Sequence, residues 1–303
     1  MNQPEHRSGY VALIGRPNVG KSTLLNTLLG QKLVAVSPRA QTTRNRIFGI
    51  FDRDDCQVIF QDTPGILAPT DKVHDFMLRE AERALEDADV AVWLIDGEKG
   101  VSPNEKRMVD EALANHSAPL LIAVNKVDAV PLAKRAALQE NIETLIEAPG
   151  ENCLYLSALL GDGTPALLAR IIDHLPPGPK FYPPDQLSDR TQRFFIEEII
   201  REKAFLHLQQ ELPYALAVHI DEMEERSDGP AYIQASLHVE RASQKGIVLG
   251  KRGSMIKRIG AEARQEIENL LEARVFLDLW VRVSEKWRKK ENWLREFGYT
   301  DPK

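Results

Sequence analysis

The sequence predicts an α/β domain with a mostly parallel sheet and one antiparallel edge strand, followed by a smaller α+β domain. Up to residue 175, short apolar runs typical of buried strands alternate with segments of helical periodicity, a pattern that favours a parallel sheet with connecting helices. Beyond residue 190 the order becomes helix (191–212), strand, strand, helix, helix, strand. Residues 285–297 predict a further short helix, whose aromatic side chains we expect to pack on the core of the second domain. Between the two parts, residues 175–185 contain five prolines in eleven positions, which is typical of a stiff, extended linker.

The domain boundaries follow from these changes in pattern. In a chain of 303 residues, long enough for two cores, we expect a tail (1–9), a first domain (10–175), a linker (176–189), a second domain (190–284), and a C-terminal helix and tail (285–303). No apolar run is long enough to cross a bilayer, so we expect a cytoplasmic protein. The two cysteines, Cys56 and Cys153, predict neither a zinc site nor a disulfide.

The first strand, residues 10–14, leads into the stretch GRPNVGKS and then into a helix that runs to residue 29. The G-x-x-x-x-G-K-S spacing suits phosphate binding: backbone N–H groups curl around the anion, Lys21 reaches the terminal phosphates and Ser22 ligates Mg²⁺. An ordinary glycine turn is the alternative. The residues expected to bind nucleotide here are Gly15, Arg16, Pro17, Asn18, Val19, Gly20, Lys21, Ser22 and Thr23.

A second motif, DTPG, ends the second strand of a predicted hairpin formed by residues 46–61. After a phosphate-binding loop, an Asp in this place can hold Mg²⁺ through water, and a neighbouring glycine lets a main-chain N–H approach the γ-phosphate. Residues 75–87 and 103–115 then predict helices, and residues 89–96 predict a buried strand. This motif adds Asp62, Thr63, Pro64, Gly65 and Ile66 to the expected nucleotide site.

Two later strand ends carry signals for the base. The strand at residues 120–124 ends in NKVD, whose Asp can accept hydrogen bonds from two guanine donors that adenine does not present. The strand at 152–156 leads into Ser-Ala-Leu, where backbone N–H groups could meet the guanine O6. We expect Asp128 to select GTP over ATP, and the residues added here to the expected nucleotide site are Asn125, Lys126, Val127, Asp128, Ser157 and Ala158.

With these four signals in order, residues 10–175 resemble a Ras-like P-loop GTPase domain. GRPNVGKS, QTTR and DTPGI resemble the branch that includes the Era, MnmE and Der families. The resemblance implies switch I at residues 31–46, switch II from residue 62 to about residue 85, and one switch I threonine that completes the Mg²⁺ shell with Ser22 and Asp62. We favour Thr43 over Thr42. The residues implied to support hydrolysis are Lys21, Asn18, Thr43 and Gly65.

Ile66 follows DTPG, where Ras-like proteins place the glutamine that orients the attacking water. Because isoleucine cannot do this, we expect slow intrinsic hydrolysis. In the resembled branch, an asparagine at the position of Asn18 is associated with a K⁺ ion that replaces an arginine finger. Asn18 as a simple turn residue is the equal alternative.

The second domain contains a basic block. Residues 241–290 carry 13 Lys and Arg against 6 Asp and Glu, a net charge of +7, and include the loop GKRG between two predicted helices. Such a loop can press its backbone against a nucleic-acid backbone while apolar neighbours support unstacked bases. The alternatives are a solvated helix face for the basic block and a helix–turn–helix connection with glycine caps for the loop. The expected RNA-binding residues are Ile247, Gly250, Lys251, Arg252, Gly253, Ser254, Lys257 and Arg258.

The order of elements around GKRG matches the type II KH fold, and a GTPase domain followed by this fold resembles the Era family closely. The resemblance implies GTP and GDP binding, Mg²⁺, a monomer that binds the single-stranded 3′ end of 16S rRNA rather than DNA, and a role in assembly of the small (30S) ribosomal subunit. Another RNA, or action at the inner (plasma) membrane through peripheral contact, is the alternative function.

Two other classes of protein are less consistent with the sequence. A tRNA-modifying protein of the MnmE type ends in a cysteine-containing motif that is absent here, and a degenerate GTPase domain would lack Lys21 or Asp128.

Overall fold

The computed structural model describes residues 5–37, 42–65, 71–114, 117–146, 150–226 and 228–300. These residues form two compact units. The first consists of Met1–Val34, Thr43–Pro69 and Met77–Asp189, and the second of Ala35–Thr42, Thr70–Phe76 and Arg190–Lys303. Among the described residues, no helix combines the length and the apolar character needed to span a bilayer.

The first unit contains a six-stranded sheet in the order β2-β3-β1-β4-β5-β6. All neighbouring strands run parallel except β2 and β3, which form an antiparallel hairpin at one edge. The predicted α/β class is therefore confirmed. The strands are β1 (Arg7–Ile14), β2 (Ile47–Asp52), β3 (Cys56–Asp62), β4 (Val90–Asp96), β5 (Leu120–Asn125) and β6 (Cys153–Tyr155).

Helices connect these strands. They are α1 (Lys21–Leu29), α2 (Lys72–Glu86), α3 (Pro103–Leu113), α4 (Leu132–Leu145) and α5 (Thr164–His174). Every residue of β4 is buried, as expected for a central strand of a parallel sheet that is covered on both faces. Because parallel strands end at the same edge, the segments that follow β1, β3, β5 and β6 lie together there, and this edge carries the sequence motifs.

The proline-rich linker lies along the first unit. The side-chain amide of Gln57 accepts hydrogen bonds from the backbone N–H groups of Phe181 and Tyr182 at 2.7 and 2.9 Å, and donates one to the Tyr182 carbonyl at 2.9 Å. The ring of Phe181 stacks on Tyr10 with centroids 5.5 Å apart. Farther along, the Ile50 N–H donates to the Leu187 carbonyl at 2.9 Å. These bonds explain why a polar residue, Gln57, is fully buried in β3.

The second unit contains a three-stranded sheet in the order β7-β8-β9, antiparallel between β7 and β8 and parallel between β8 and β9. Its core is formed by apolar side chains of both the sheet and the helices, among them Ile200, Ile233, Leu237, Val248 and Ile259. The elements are α6 (Gln192–His207), β7 (Ala217–Glu224), β8 (Ala231–Val239), α7 (Ala242–Leu249), α8 (Ser254–Leu271), β9 (Val275–Val283) and α9 (Glu291–Glu296).

Two predicted elements in this unit were too long. The helix predicted to reach residue 212 ends at His207, because Leu208 is extended and Gln210 adopts a left-handed backbone (φ 54°). The predicted C-terminal helix is reduced to α9 and a preceding turn, where Lys286 is left-handed (φ 55°). The aromatic residues there pack inward as predicted: Trp287 is fully buried, and its indole N–H donates to the Ala215 carbonyl at 2.9 Å.

Candidate functional site

The loop that follows β1 requires glycine at two positions. Gly15 and Gly20 have φ angles of 141° and 102°, values that are strained for any residue with a Cβ atom. A Cβ on Gly15 would lie 2.4 Å from the Leu94 carbonyl oxygen, and one on Gly20 would lie 2.3 Å from Nδ2 of Asn125. Asn18 is also left-handed (φ 62°), a conformation that asparagine tolerates. The backbone of this loop is thus fixed by close contact with β4 and β5.

Lys21, at the start of α1, is buried beneath this loop. Its Nζ donates to the carbonyls of Gly15 and Arg16 at 3.1 and 3.2 Å. Burial lowers the pKa of Lys21 from 10.5 to about 8, and the carboxylate of Asp62 acts in the opposite direction. An anion bound in the loop would favour the charged form of this amine.

Three oxygen-bearing side chains converge next to Lys21. The Ser22 hydroxyl donates to Asp62 Oδ2 at 2.7 Å and lies 3.0 Å from the Thr43 hydroxyl, which itself donates to Asp62 Oδ2 at 3.2 Å. The Thr42 hydroxyl lies 2.7 Å from the Ser37 hydroxyl. Hydroxyl and carboxylate oxygens with a single negative charge suit Mg²⁺ that is also held by phosphates and water. The residues present therefore fit this ion, and Thr43 as the switch I ligand stays a prediction that these contacts support.

The segment after β3 is held against the loop. The buried Thr63 hydroxyl donates to the Leu13 carbonyl at 2.6 Å, so this side chain positions the backbone of Asp62 rather than facing the site. A Cβ on Gly65 would lie 2.6 Å from the backbone nitrogen of Pro17. Only glycine allows this approach, which places the Gly65 main chain beside the phosphate loop. Ile66 lies outside the described residues.

Asn125 joins three segments of the site. Its Nδ2 donates to the Val19 carbonyl at 2.7 Å, and its Oδ1 accepts from the Ala158 N–H at 2.8 Å. The Ser157 N–H donates to the Asp162 carbonyl at 2.9 Å. These two N–H groups thus bond within the protein, and contact between this loop and the guanine O6 stays a prediction. Asp128 is exposed at the end of the NKVD motif, where a base can reach it.

The partner of Lys126 was not predicted from the sequence. This residue has a left-handed backbone (φ 64°), and its Nζ lies 2.7 Å from Oδ2 of Asp96, which is almost fully buried. Asp96 also accepts from the Glu98 N–H at 3.1 Å. The ion pair between Lys126 and Asp96 holds the NKVD loop to the end of β4. The sequence feature that could have indicated this pair is an acidic residue at the carboxyl end of an otherwise apolar strand.

The GKRG loop presents its charges to solvent. Gly250 has φ 70° and ψ 176°, and a Cβ there would lie 2.7 Å from the Met255 Cβ. Arg252 and Gly253 are left-handed as well (φ 54° and 77°). The exposed side chains around the loop are those of Ile247, Lys251, Arg252, Ser254, Lys257 and Arg258. Four cations and one apolar side chain are thus available to a polyanion with unstacked bases.

Family models match both parts of the chain. A model described as 50S ribosome-binding GTPase matches residues 10–126, and a KH domain model matches residues 211–288. GTPase Era of Geotalea uraniireducens (strain Rf4) is 45% identical over 299 residues, covering 99% of this chain and 100% of the relative. GTPase Era of Halothermothrix orenii is 42% identical, covering 97% of this chain and 99% of the relative.

Solved structures match over the same extent. A variant of Aquifex aeolicus Era bound to GDP and AlF4⁻ has a TM-score of 0.92 at 36% identity, covering 97% of this chain and 99% of that chain. Era in complex with MgGDPNP and nucleotides 1506–1542 of 16S ribosomal RNA has a TM-score of 0.93 at 37% identity, with the same coverage. The similarity therefore includes both the nucleotide site and the GKRG region.

The convergence of Thr43 on Ser22 and Asp62 predicts a specific defect. Thr43→Ala should raise the Mg²⁺ concentration needed for half-maximal GTP hydrolysis by about tenfold, because one oxygen near the metal is lost. Thr42→Ala, which removes the neighbouring hydroxyl, is the matched control and should leave the Mg²⁺ requirement nearly unchanged. The measurement is a Mg²⁺ titration of phosphate release, and equal effects of the two variants would contradict the assignment.

The lowered pKa of Lys21 predicts that nucleotide binding depends on pH. In the free protein the amine loses its proton near pH 8, whereas phosphate binding needs the cation, so affinity for GDP should fall as pH rises. Between pH 7 and pH 8.5 the expected loss is about fourfold. Titrations of GDP at the two pH values measure this effect, and unchanged affinity would contradict it.

The same pKa gives an independent check on stability. Between about pH 8 and pH 10.5 the unfolded chain holds more protons at this site than the folded chain. The contribution of Lys21 to the free energy of unfolding should therefore rise with pH in this range. Lys21→Ala should remove that contribution in urea unfolding experiments.

Proposed function

Since the chain belongs to the Era family of GTPases, we propose that it couples its nucleotide state to RNA binding by its KH domain. The proposed RNA is the single-stranded 3′ end of 16S rRNA, and the proposed role is assembly and maturation of the small ribosomal subunit. The observation that carries this proposal is the relative with bound MgGDPNP and 16S rRNA nucleotides, similar over 97% of this chain. The name of the matching family model mentions the 50S subunit, but 16S rRNA belongs to the small subunit, which we favour.

The chain is a GTPase, and its own residues account for the main requirements of the reaction. Ser22, Thr43 and Asp62 would hold Mg²⁺, which neutralises charge on the β- and γ-phosphates when bound. Lys21 compensates phosphate charge, and the main chain at Gly65 would donate toward the γ-phosphate. Asp128 would accept the two guanine donors, with Asn125 and Asp96 holding the recognition loop in place.

We propose slow intrinsic hydrolysis, since isoleucine follows the DTPG motif and cannot orient water. We also propose that the protein is a monomer located in the cytoplasm. Peripheral membrane contact, or binding of a different RNA, is the alternative. The domain limits at residues 10–175 and 190–284 are proposals too.

Base selection should depend on Asp128. Asp128→Asn should weaken GDP binding by roughly a hundredfold or more, because the amide cannot accept both guanine donors. The same change should improve binding of xanthosine diphosphate, whose carbonyl can accept a hydrogen bond from the new amide. Competition titrations with the two nucleotides measure the switch. Unchanged affinity for GDP would remove the assignment of this residue.

The role of Asn18 can be tested with monovalent ions. If Asn18 helps to hold K⁺, replacing K⁺ by Na⁺ at equal ionic strength should slow phosphate release by about fivefold or more. The reason is that a cation which stabilises the charge of the transition state would be lost. Asn18→Gly preserves the left-handed backbone but removes the side chain, and should abolish the difference between the two salts. Equal wild-type rates in K⁺ and Na⁺ would leave Asn18 as a turn residue.

Coupling between nucleotide and RNA is the last expectation of this proposal. GTP can change RNA affinity only if the two nucleotide states differ in their affinity for RNA. We hypothesise that a single-stranded 16S 3′-end oligonucleotide binds more tightly with a nonhydrolysable GTP analogue than with GDP. Binding assays in the two states measure the difference, and identical affinities would contradict coupling.

The same assay tests the GKRG loop. Lys251→Glu/Arg252→Glu should lower RNA affinity and flatten its salt dependence, while GDP affinity stays unchanged. Lys289→Glu/Lys290→Glu makes the same charge change at exposed positions outside the loop and is the matched control.

A further inference from the structure

The sheet of the second unit has two different faces. Alternate residues of β8 and β9, among them Ile233, Leu237, Val275 and Val281, belong to the core formed with α6, α7 and α8. Side chains alternate along a strand, so the residues between them point to the opposite face. The GKRG loop connects α7 and α8, and the opposite face is therefore a surface separate from the proposed RNA site.

Part of this opposite face is covered by the C-terminal segment. The His238 ring lies 5.5 Å from Trp293 and 4.7 Å from Phe297. Farther toward the start of β8 and β9, Phe276 and Trp280 are 55% and 53% exposed. The Tyr232 ring stacks on Phe276 with centroids 5.9 Å apart and planes at 14°. We call Tyr232, Phe276 and Trp280 the aromatic face.

The aromatic face is held in position rather than loosely exposed. The indole N–H of Trp280 donates to Asp278 Oδ2 at 2.8 Å, which restrains the ring. Tyr232 and Phe276 are direct neighbours in the β8–β9 register, and Trp280 is paired with Ser236. Ordered aromatic rings that remain half exposed on a rigid sheet are typical of binding surfaces.

Carboxylates surround the aromatic face. Asp278 lies between Phe276 and Trp280 on β9. The exposed Glu224 is paired with Tyr232 across the β7–β8 ladder, and Glu222, two pairs farther, is paired with Gln234. Partial burial, followed by the carboxylates of Asp278 and Glu222, raises the pKa of the Tyr232 phenol. A phosphate backbone would be repelled here, whereas a cation would be attracted.

The chain itself shows which cation fits. The Arg226 guanidinium lies 5.0 Å from the centroid of the Tyr232 ring and 4.0 Å from a Glu224 carboxylate oxygen. Arg282 on the same face is paired with Asp221 at 3.4 Å. An aromatic ring with an adjacent carboxylate thus already accepts one guanidinium, and Trp280 with Asp278 offers the same combination to a second one.

We propose that the aromatic face binds an arginine-rich segment of a partner protein, with guanidinium groups placed on Trp280 and Phe276 and paired with Asp278 and Glu222. The segment would lie along β9, with arginines spaced to match the two exposed rings of that strand. This partner site is independent of the nucleotide and RNA sites, and it does not rest on the proposed function.

The test uses the full-length protein and a short fluorescein-labelled peptide of alternating Arg and Thr, followed by fluorescence anisotropy. Trp280→Ala should weaken peptide binding by roughly fivefold, because one cation–π contact is lost. Phe276→Ala/Trp280→Ala removes two such contacts and should weaken binding by about tenfold or more. Neither variant changes the net charge, so nonspecific attraction to an acidic protein stays constant. Asp278→Asn tests the carboxylate and should weaken binding while the rings remain.

Matched controls separate this site from the others. Lys251→Ala/Arg252→Ala should leave peptide affinity unchanged, and a peptide of alternating Glu and Thr should not bind. Peptide affinity that is equal in the wild type and in Phe276→Ala/Trp280→Ala would overturn the proposal. It would also be overturned if these changes instead weakened binding of a single-stranded RNA oligonucleotide, or if they converted a wild-type dimer to a monomer in sedimentation without affecting the peptide.

Discussion

The side-chain amide of Asn125 is the interaction on which the nucleotide site depends. One amide group donates to the phosphate loop at Val19 and accepts from the loop after β6 at Ala158, at 2.7 and 2.8 Å. The partners are buried, so removal of the amide would leave a carbonyl and an N–H without their bonds in a place that water does not reach. Because Asn125 ends β5, phosphate binding and base recognition share the geometry of one central strand.

Packing around this amide also explains the glycine pattern of the first motif. The Cβ of any other residue at position 20 would collide with the Asn125 side chain. The motifs GRPNVGKS and NKVD are therefore parts of one close-packed arrangement, although they are more than a hundred residues apart in the chain.

Much of this arrangement could be predicted from the sequence. Strand ends, loop spacing and the switch to the second domain are local patterns, and local patterns of apolar periodicity and glycine are what a sequence shows most clearly. The fold class was predicted correctly on that basis, and the family and the GTPase activity were predicted correctly from the resemblance of the motifs to a known family. The choice of Thr43 over Thr42 came from resemblance, and the structure adds a physical argument for it, since the Thr43 hydroxyl lies beside Ser22 and Asp62.

What could not be predicted depends on contacts between distant residues. The ion pair of Lys126 with Asp96 joins positions 30 residues apart, and the bonds of Gln57 to Phe181 and Tyr182 join positions up to 125 residues apart. The sequence around a glutamine or aspartate in a strand does not indicate which distant residue it will contact. The early end of α6 depends on a left-handed Gln210, a residue type without a strong preference for that conformation.

The bound linker has a consequence for solubility. Strand β2 lies at the edge of the six-stranded sheet, and an open edge strand can pair with another chain and begin aggregation. Here the Leu187 carbonyl accepts from the N–H of Ile50, and the Ser188 hydroxyl donates to the Phe48 carbonyl at 2.6 Å. The linker thus protects this edge, and a first domain truncated at residue 175 would expose it together with Tyr10, whereas one extended to residue 189 would keep it covered.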